Sequence, residues 1–358
     1  MTGLEYLRSG RALCENGLFV ELEAYKCHVF LDWREVEDND WHQYAHLADY
    51  LGGRGVPSIE EALQEVFLQP VHYPFKELVN AGHFQWLMEH RVTDPDELEQ
   101  TAPLQAVLDE VEPKLLLMLR EMQQFTGGEL EGLPAVEEVA QEVLDQLQAS
   151  LTLPLMQSRF PLARSAKYQA AVEMVQGTMD GDVSSWGILL AWLFTHALGK
   201  ITSPEEAAAQ SRSWIDEWLL GKIVAGTLQD LGLDEGAAWW SVGVVKILTS
   251  HQEWFATQAA SSEQAYQILV SWLRDSEVQQ LLQVNRYGGV LWFNRESFEQ
   301  LLEWMLTVAA VTISADREST DKEVAEEIVV CYEVVNRLKE AEQESGYQVV
   351  ALMEAAKG

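Results

Sequence analysis

The hydrophobic pattern of this chain changes period once. Near the N-terminus, "NGLFVELEAYKCHVFLDW" alternates. Leu18, Val20 and Leu22 share one parity, and Cys27, Val29, Leu31 and Trp33 form a second period-2 set. Alternation of this kind puts every second side chain on one face of a strand, and the β-branched and aromatic content agrees with it. Asn16-Gly17 reads as the opening turn. After "EVEDND" the apolar positions follow helical spacing to the end of the chain. The predicted fold is mainly α, a multi-helix bundle-like domain with a short antiparallel β segment at the N-terminus. Two strands alone are marginal in water, so residues 13–33 are expected to expose an unpaired edge.

Punctuation divides the helical part. "SIEE", Ser58 to Glu61, is a capping box before the stripe Ile59, Leu63, Val66 and Phe67. Pro70 and Pro74 are expected to break that helix. "TDPDELEQ" opens another, and Gly127-Gly128 closes "EPKLLLMLREMQQF". "TGGELEGLP" is the best linker candidate, and "LPLMQSRFPLARS" reads as a loop. "SSWGILLAWLFTHALGK" is expected to end at Gly199. Ser203 and Asp234 are N-caps of the helices that follow. Three regions result: 1–36 as a β-hairpin segment, 41–126 as a helical region, and 134–358 as a larger helical region packed with it.

The most strongly specified join lies in "NRYGGVLWFNRESFEQLLEWMLTVAAV", Asn285 to Val311. Asn294 is an N-cap, with Phe293 at N′ and Phe298 at N4, the spacing of a hydrophobic staple. Gly288-Gly289 permits a turn that other residues resist. The cluster Tyr287, Trp292 and Phe293 is either core, with Trp292 mostly buried, or an aromatic platform for a sugar ring or a partner side chain. Trp239 and Trp240 are candidates for the same kind of contact.

Charge removes two partner classes. The chain has 24 Lys plus Arg against 57 Asp plus Glu, a formal net charge of −33. That field repels nucleic acid and anionic membranes, and no polybasic stretch offsets it. The most apolar run, "WGILLAWLF", is far short of the roughly 20 residues that span a bilayer, and reads as a buried core helix. The N-terminus has no apolar core of a signal peptide. Three sparse cysteines, Cys14, Cys27 and Cys331, point to a reducing cytoplasm.

No catalytic constellation stands out. His42 and His46 share a helix spacing, but no third ligand accompanies them. "GGRG", Gly52 to Gly55, lacks the Lys-Ser/Thr of a phosphate loop. Neither a G-x-S-x-G elbow nor a catalytic cysteine signature occurs. The two or three strand-like runs cannot build a (β/α)₈ barrel, which needs eight. No cofactor or metal is expected.

Three blocks carry a resemblance: "LEYLRSGRALCENGLFVELEAYKCHVFLDWREV", "YLGGRGVPSIEEALQEVFLQPVHYPFKELVNA" and the Asn285–Val311 stretch. Together they resemble the C-terminal region of large bacterial α-amylase-like proteins, of glycoside hydrolase family 13. The blocks hold no catalytic motif, and Glu23 stands where a glycine is expected. The resemblance implies a non-catalytic accessory or structural region in α-glucan metabolism, without the barrel or its carboxylates. Its partners would be an upstream (β/α)₈ barrel and β-domain, a second copy of the chain, or an α-glucan. A free-standing helical protein-interaction module is the alternative. An enzyme whose site sequence does not show is a third class.

Overall fold

The computed structural model describes residues 3–20, 22, 24–25, 27–39, 42–95, 101–128, 134–159, 165–179, 183–252 and 262–357. Two compact units divide the chain, 1–70 and 71–358. Mainly α structure is observed, as the 3.6-residue periodicity predicts.

In the first unit, α1 (Gly10–Asn16), α2 (Gln43–Leu51) and α3 (Ile59–Phe67) are the helices. Leu47, Leu51 and Ala62 form a small core, with Leu7, Val56, Ile59, Leu63 and Val66 packed against it. A backbone bridge joins Glu5 to Val56. Ser58 caps α3 by accepting from the Glu61 amide at 3.2 Å.

The expected N-terminal strands are corrected here. Residues 10–16 are helical, with the Ser9 side chain accepting from the Ala12 amide. Gly17, at φ 73°, ends that helix, and its amide reaches the Leu13 carbonyl at 2.9 Å. An Asn-Gly pair that signals a hairpin turn serves equally well as a helix terminus, because both need a positive φ. Beyond it no strand forms among the described residues of 18–39. Alternation creates an apolar face but supplies no second surface to bury it. Leu22, Val29 and Trp33 are accordingly 53%, 71% and 65% exposed. Phe30, of the other parity, meets Tyr6 edge-on at 5.7 Å.

The second unit begins within α4 (Gln69–Leu78) and continues through α5 (Ala81–Glu89), α6 (Thr101–Phe125), α7 (Val136–Leu151), α8 (Met156–Arg159), α9 (Ala166–Met179) and α10 (Val183–Leu193). Then follow α11 (Ala207–Glu217), α12 (Leu220–Asp230), α13 (Glu235–Ser250), α14 (Ser262–Arg274) and α15 (Ser276–Leu281). The strands β1 (Asn285–Tyr287) and β2 (Val290–Trp292) precede α16 (Arg295–Ser314), α17 (Asp321–Ser345) and α18 (Val349–Lys357). α10 is buried from Trp186 to Leu193, as an all-apolar helix must be. α16 packs against α7, α9, α13 and α17 and is the hub of the unit. Its residues from Trp304 to Val311 are all buried.

Several sequence expectations shift. Pro70 lies in the first turn of α4, where a proline is tolerated, and Pro74 lies inside it, so only the break before residue 69 holds. α10 ends at Leu193, well before Gly199. "LPLMQSR" forms short helical turns rather than a loop, and the remainder at 160–164 lies outside the described residues. So do most of "TDPDELEQ" and of the linker "TGGELEGLP". Gly127 and Gly128, at φ 113° and 89°, do close α6.

Candidate functional site

The sheet lies where the aromatic join was read. β1 and β2 pair antiparallel, Asn285 opposite Trp292 and Tyr287 opposite Val290, around Gly288-Gly289 at φ 59° and 85°. The Asn294 side chain accepts from the Ser297 amide at 2.9 Å. Phe293 and Phe298 are buried with ring centroids 5.4 Å apart, so the staple forms. Backbone bonds from Phe293 to the Tyr347 carbonyl and from Asn294 to the Leu282 carbonyl fix the entry into α16.

The candidate aromatics divide. Tyr287 is 79% exposed and Trp239 is 48% exposed. Trp240 is half-buried. Trp292 is of intermediate burial, not mostly buried, with a backbone bridge to Gln348 on the side of β2 away from β1. Its indole Nε1 donates to the Tyr287 carbonyl at 3.3 Å. Among the described residues no ring contact joins Trp239 or Trp240 to Tyr287 or Trp292, so the structure does not assemble the four into one platform.

Sequence inspection missed a polar network on four helices. Asp275 is the N-cap of α15 and accepts from the Glu277 amide. Arg212 of α11 donates to both of its carboxylate oxygens, at 2.6 and 3.0 Å. His251, at the end of α13, places Nε2 3.0 Å from Asp275 Oδ2, and its Nδ1 lies 3.4 Å from the Ser271 hydroxyl of α14. Lys246 of α13 pairs with Glu277 and, at 2.7 Å, with Asp216. Burial alone would push the Asp275 carboxyl up. The hydrogen bonds from His251 and Arg212 outweigh burial and hold it well below the usual carboxylate range. Only the Asp275 cap, between two helical runs in "LRDSEV", leaves a sequence signal, and that signal names a boundary rather than partners.

Other titratable groups are buried singly. His83 and His196 are pushed down to about 4 by burial. Glu342, with a side chain 1% exposed, is pushed up by burial, and Arg295 at 3.9 Å offsets this in part. Burial pushes the Cys331 thiol up to about 12, so it is unreactive, whereas Cys14 and Cys27 are exposed. Among the described residues no group of three or more His, Cys, Asp or Glu could hold a metal ion, and no helix is long and apolar enough to cross a membrane.

Comparison with known proteins adds no relative. No family model, no curated protein and no solved structure matches the chain.

Proposed function

We propose that the chain is a non-catalytic accessory region of an α-amylase-like glycosidase, active in α-glucan metabolism in the cytoplasm. The N-terminal segment would join it to the β-domain that follows the catalytic barrel. One observation carries this: of the alternating apolar side chains of residues 18–33, all but the half-buried Val20 stand exposed, and none is paired to a strand among the described residues. Each of the two runs keeps a single apolar parity, and a run of that kind, once drawn out straight, is what an open sheet edge accepts, through main-chain bonds for affinity and alternate side-chain pockets for register. Three free cysteines support a reducing compartment. Tyr287 and Trp239 offer open ring surface that an α-glucan could stack on.

The test is co-expression with the barrel and β-domain of an α-amylase-like protein from the same genome. Co-purification is expected, and Val29→Lys with Trp33→Lys should abolish it. Starch hydrolysis should come from the barrel partner alone. Failure to co-purify would overturn the proposal. So would reducing-sugar release by this chain alone that vanishes when one of its own carboxylates is replaced.

A further inference from the structure

Within the polar network, Ser271, His251 and Asp275 form an ordered relay from surface to interior. Ser271 is exposed, the His251 side chain is 14% exposed and that of Asp275 is 6% exposed. The accessible group is thus a hydroxyl, the intermediate group can take a proton, and the covered group is a carboxylate.

The hydrogen bonds also fix the tautomer. Asp275 is an acceptor at both oxygens, because Arg212 and the Glu277 amide donate to it. His251 therefore presents Nε2–H to Asp275, and Nδ1 is left with its lone pair toward the Ser271 hydroxyl. The ring nitrogens serve the opposite neighbours from those of the serine-protease arrangement, but the roles are the same: nucleophile, base and orienting anion. The 3.4 Å separation is longer than a catalytic hydrogen bond, as such pairs often are until a reactant draws them together.

We propose that Ser271 is a base-activated nucleophile that accepts a small acyl group from an activated ester. Ser271 Oγ attacks the acyl carbon while its proton passes to His251 Nδ1. The C–O bond to the leaving phenolate or alkoxide breaks, and that oxygen takes the proton from His251 as it departs. The product is an acyl ester on Ser271, formed without an added oxidant, reductant or metal. The amides around Ser271 belong to the interior of α14 and serve its own ladder. General-base assistance is then the main source of rate, on the order of 10²- to 10⁴-fold. The relay lies in helices 207–281 and does not depend on how the N-terminal segment docks.

The probe is p-nitrophenyl acetate on the full-length chain, with acetylated serines mapped by peptide mass spectrometry. Ser271 is expected to acetylate at least 10²-fold faster than Ser165, an exposed serine outside the network. Ser271→Ala should remove the fast phase, and His251→Gln should slow it to the Ser165 rate with the circular dichroism spectrum unchanged. Imidazole nitrogen NMR should show His251 protonated at Nε2, and Asp275→Asn should shift that tautomer. Acetylation of Ser271 at the Ser165 rate overturns the proposal, whether or not the His251 variant folds. Protonation of His251 at Nδ1 in the wild-type chain overturns it equally.

Discussion

At the scale of single residues, the join before α16 shows how three side chains set one geometry. Asn294 satisfies an amide that helical bonding leaves open. Phe293 and Phe298 then clasp across the first turn, both out of water. These contributions differ in kind, so their loss should differ in size. Asn294→Ala removes one capping bond and is expected to cost about 0.5–2 kcal/mol. Phe298→Ala empties a fully buried site beside Trp272 and should cost about 3–5 kcal/mol. Urea denaturation of both variants measures the ratio. Equal losses would mean that the staple adds nothing to the cap. Asn294 and the staple were legible in sequence because both are local, with donors and partners within five positions. Arg212 and Asp275 were not, since their pairing follows from where two helices pack and no spacing rule links them.

At the scale of elements, the part a glycine plays depends on what packs beside it. Gly199 resembles a helix terminator in "HALGK", yet the helix stops at Leu193 and Gly199 lies in a short 3-10 turn, Leu198–Ile201. Its reason is close approach: a Cβ there would lie 2.2 Å from the Ala207 carbonyl oxygen and 2.9 Å from the Ser211 amide nitrogen. Both are backbone atoms of α11 and cannot rotate away. Its amide also donates to the Ser211 hydroxyl at 2.7 Å. Gly199→Ala must push α11 off the turn, and about 1–3 kcal/mol of destabilisation is expected. Gly177, inside α9, meets nothing within 4 Å. Gly177→Ala should therefore stabilise by about 0.5–1 kcal/mol through helix propensity. Opposite signs from the same substitution, read by chemical denaturation, would separate close approach from propensity. Two losses would refute the distinction. The N-terminal strands failed for a related reason: alternation and Asn-Gly are local signals, whereas a strand exists only when another strand lies beside it.

At the scale of the whole molecule, acid should find the fold through its buried histidines before its carboxylates. His196 stacks on Trp192 with centroids 4.3 Å apart, and its Nδ1 faces the Trp192 and Leu193 carbonyls, so the neutral ring is held in the core. Burial lowers its folded value to about 4 against an ordinary 6.5. Between those values the unfolded chain binds the extra proton and the folded chain does not. Stability must then fall as pH drops through 6.5 and level off below about 4, by up to roughly 3 kcal/mol for this one ring. His83, pushed down to about 4 mainly by burial, adds a second contribution of the same sign. Asp275, held low by its partners, loses its share only as pH falls through 3.8 and below. A formal charge of −33 complicates the raw curve, because acid also relieves self-repulsion and so favours the compact state. Comparison with His196→Phe removes that complication. Self-repulsion is common to both proteins and cancels in their difference, and the lost carbonyl contacts are a cost independent of pH. The stability of wild type relative to His196→Phe should therefore decline by about 3 kcal/mol between pH 7.5 and 4, measured by urea melts at each pH. A difference that stays flat across that window would mean that His196 is protonated in the folded chain, with a counter-charge beside it that the buried, stacked geometry does not provide.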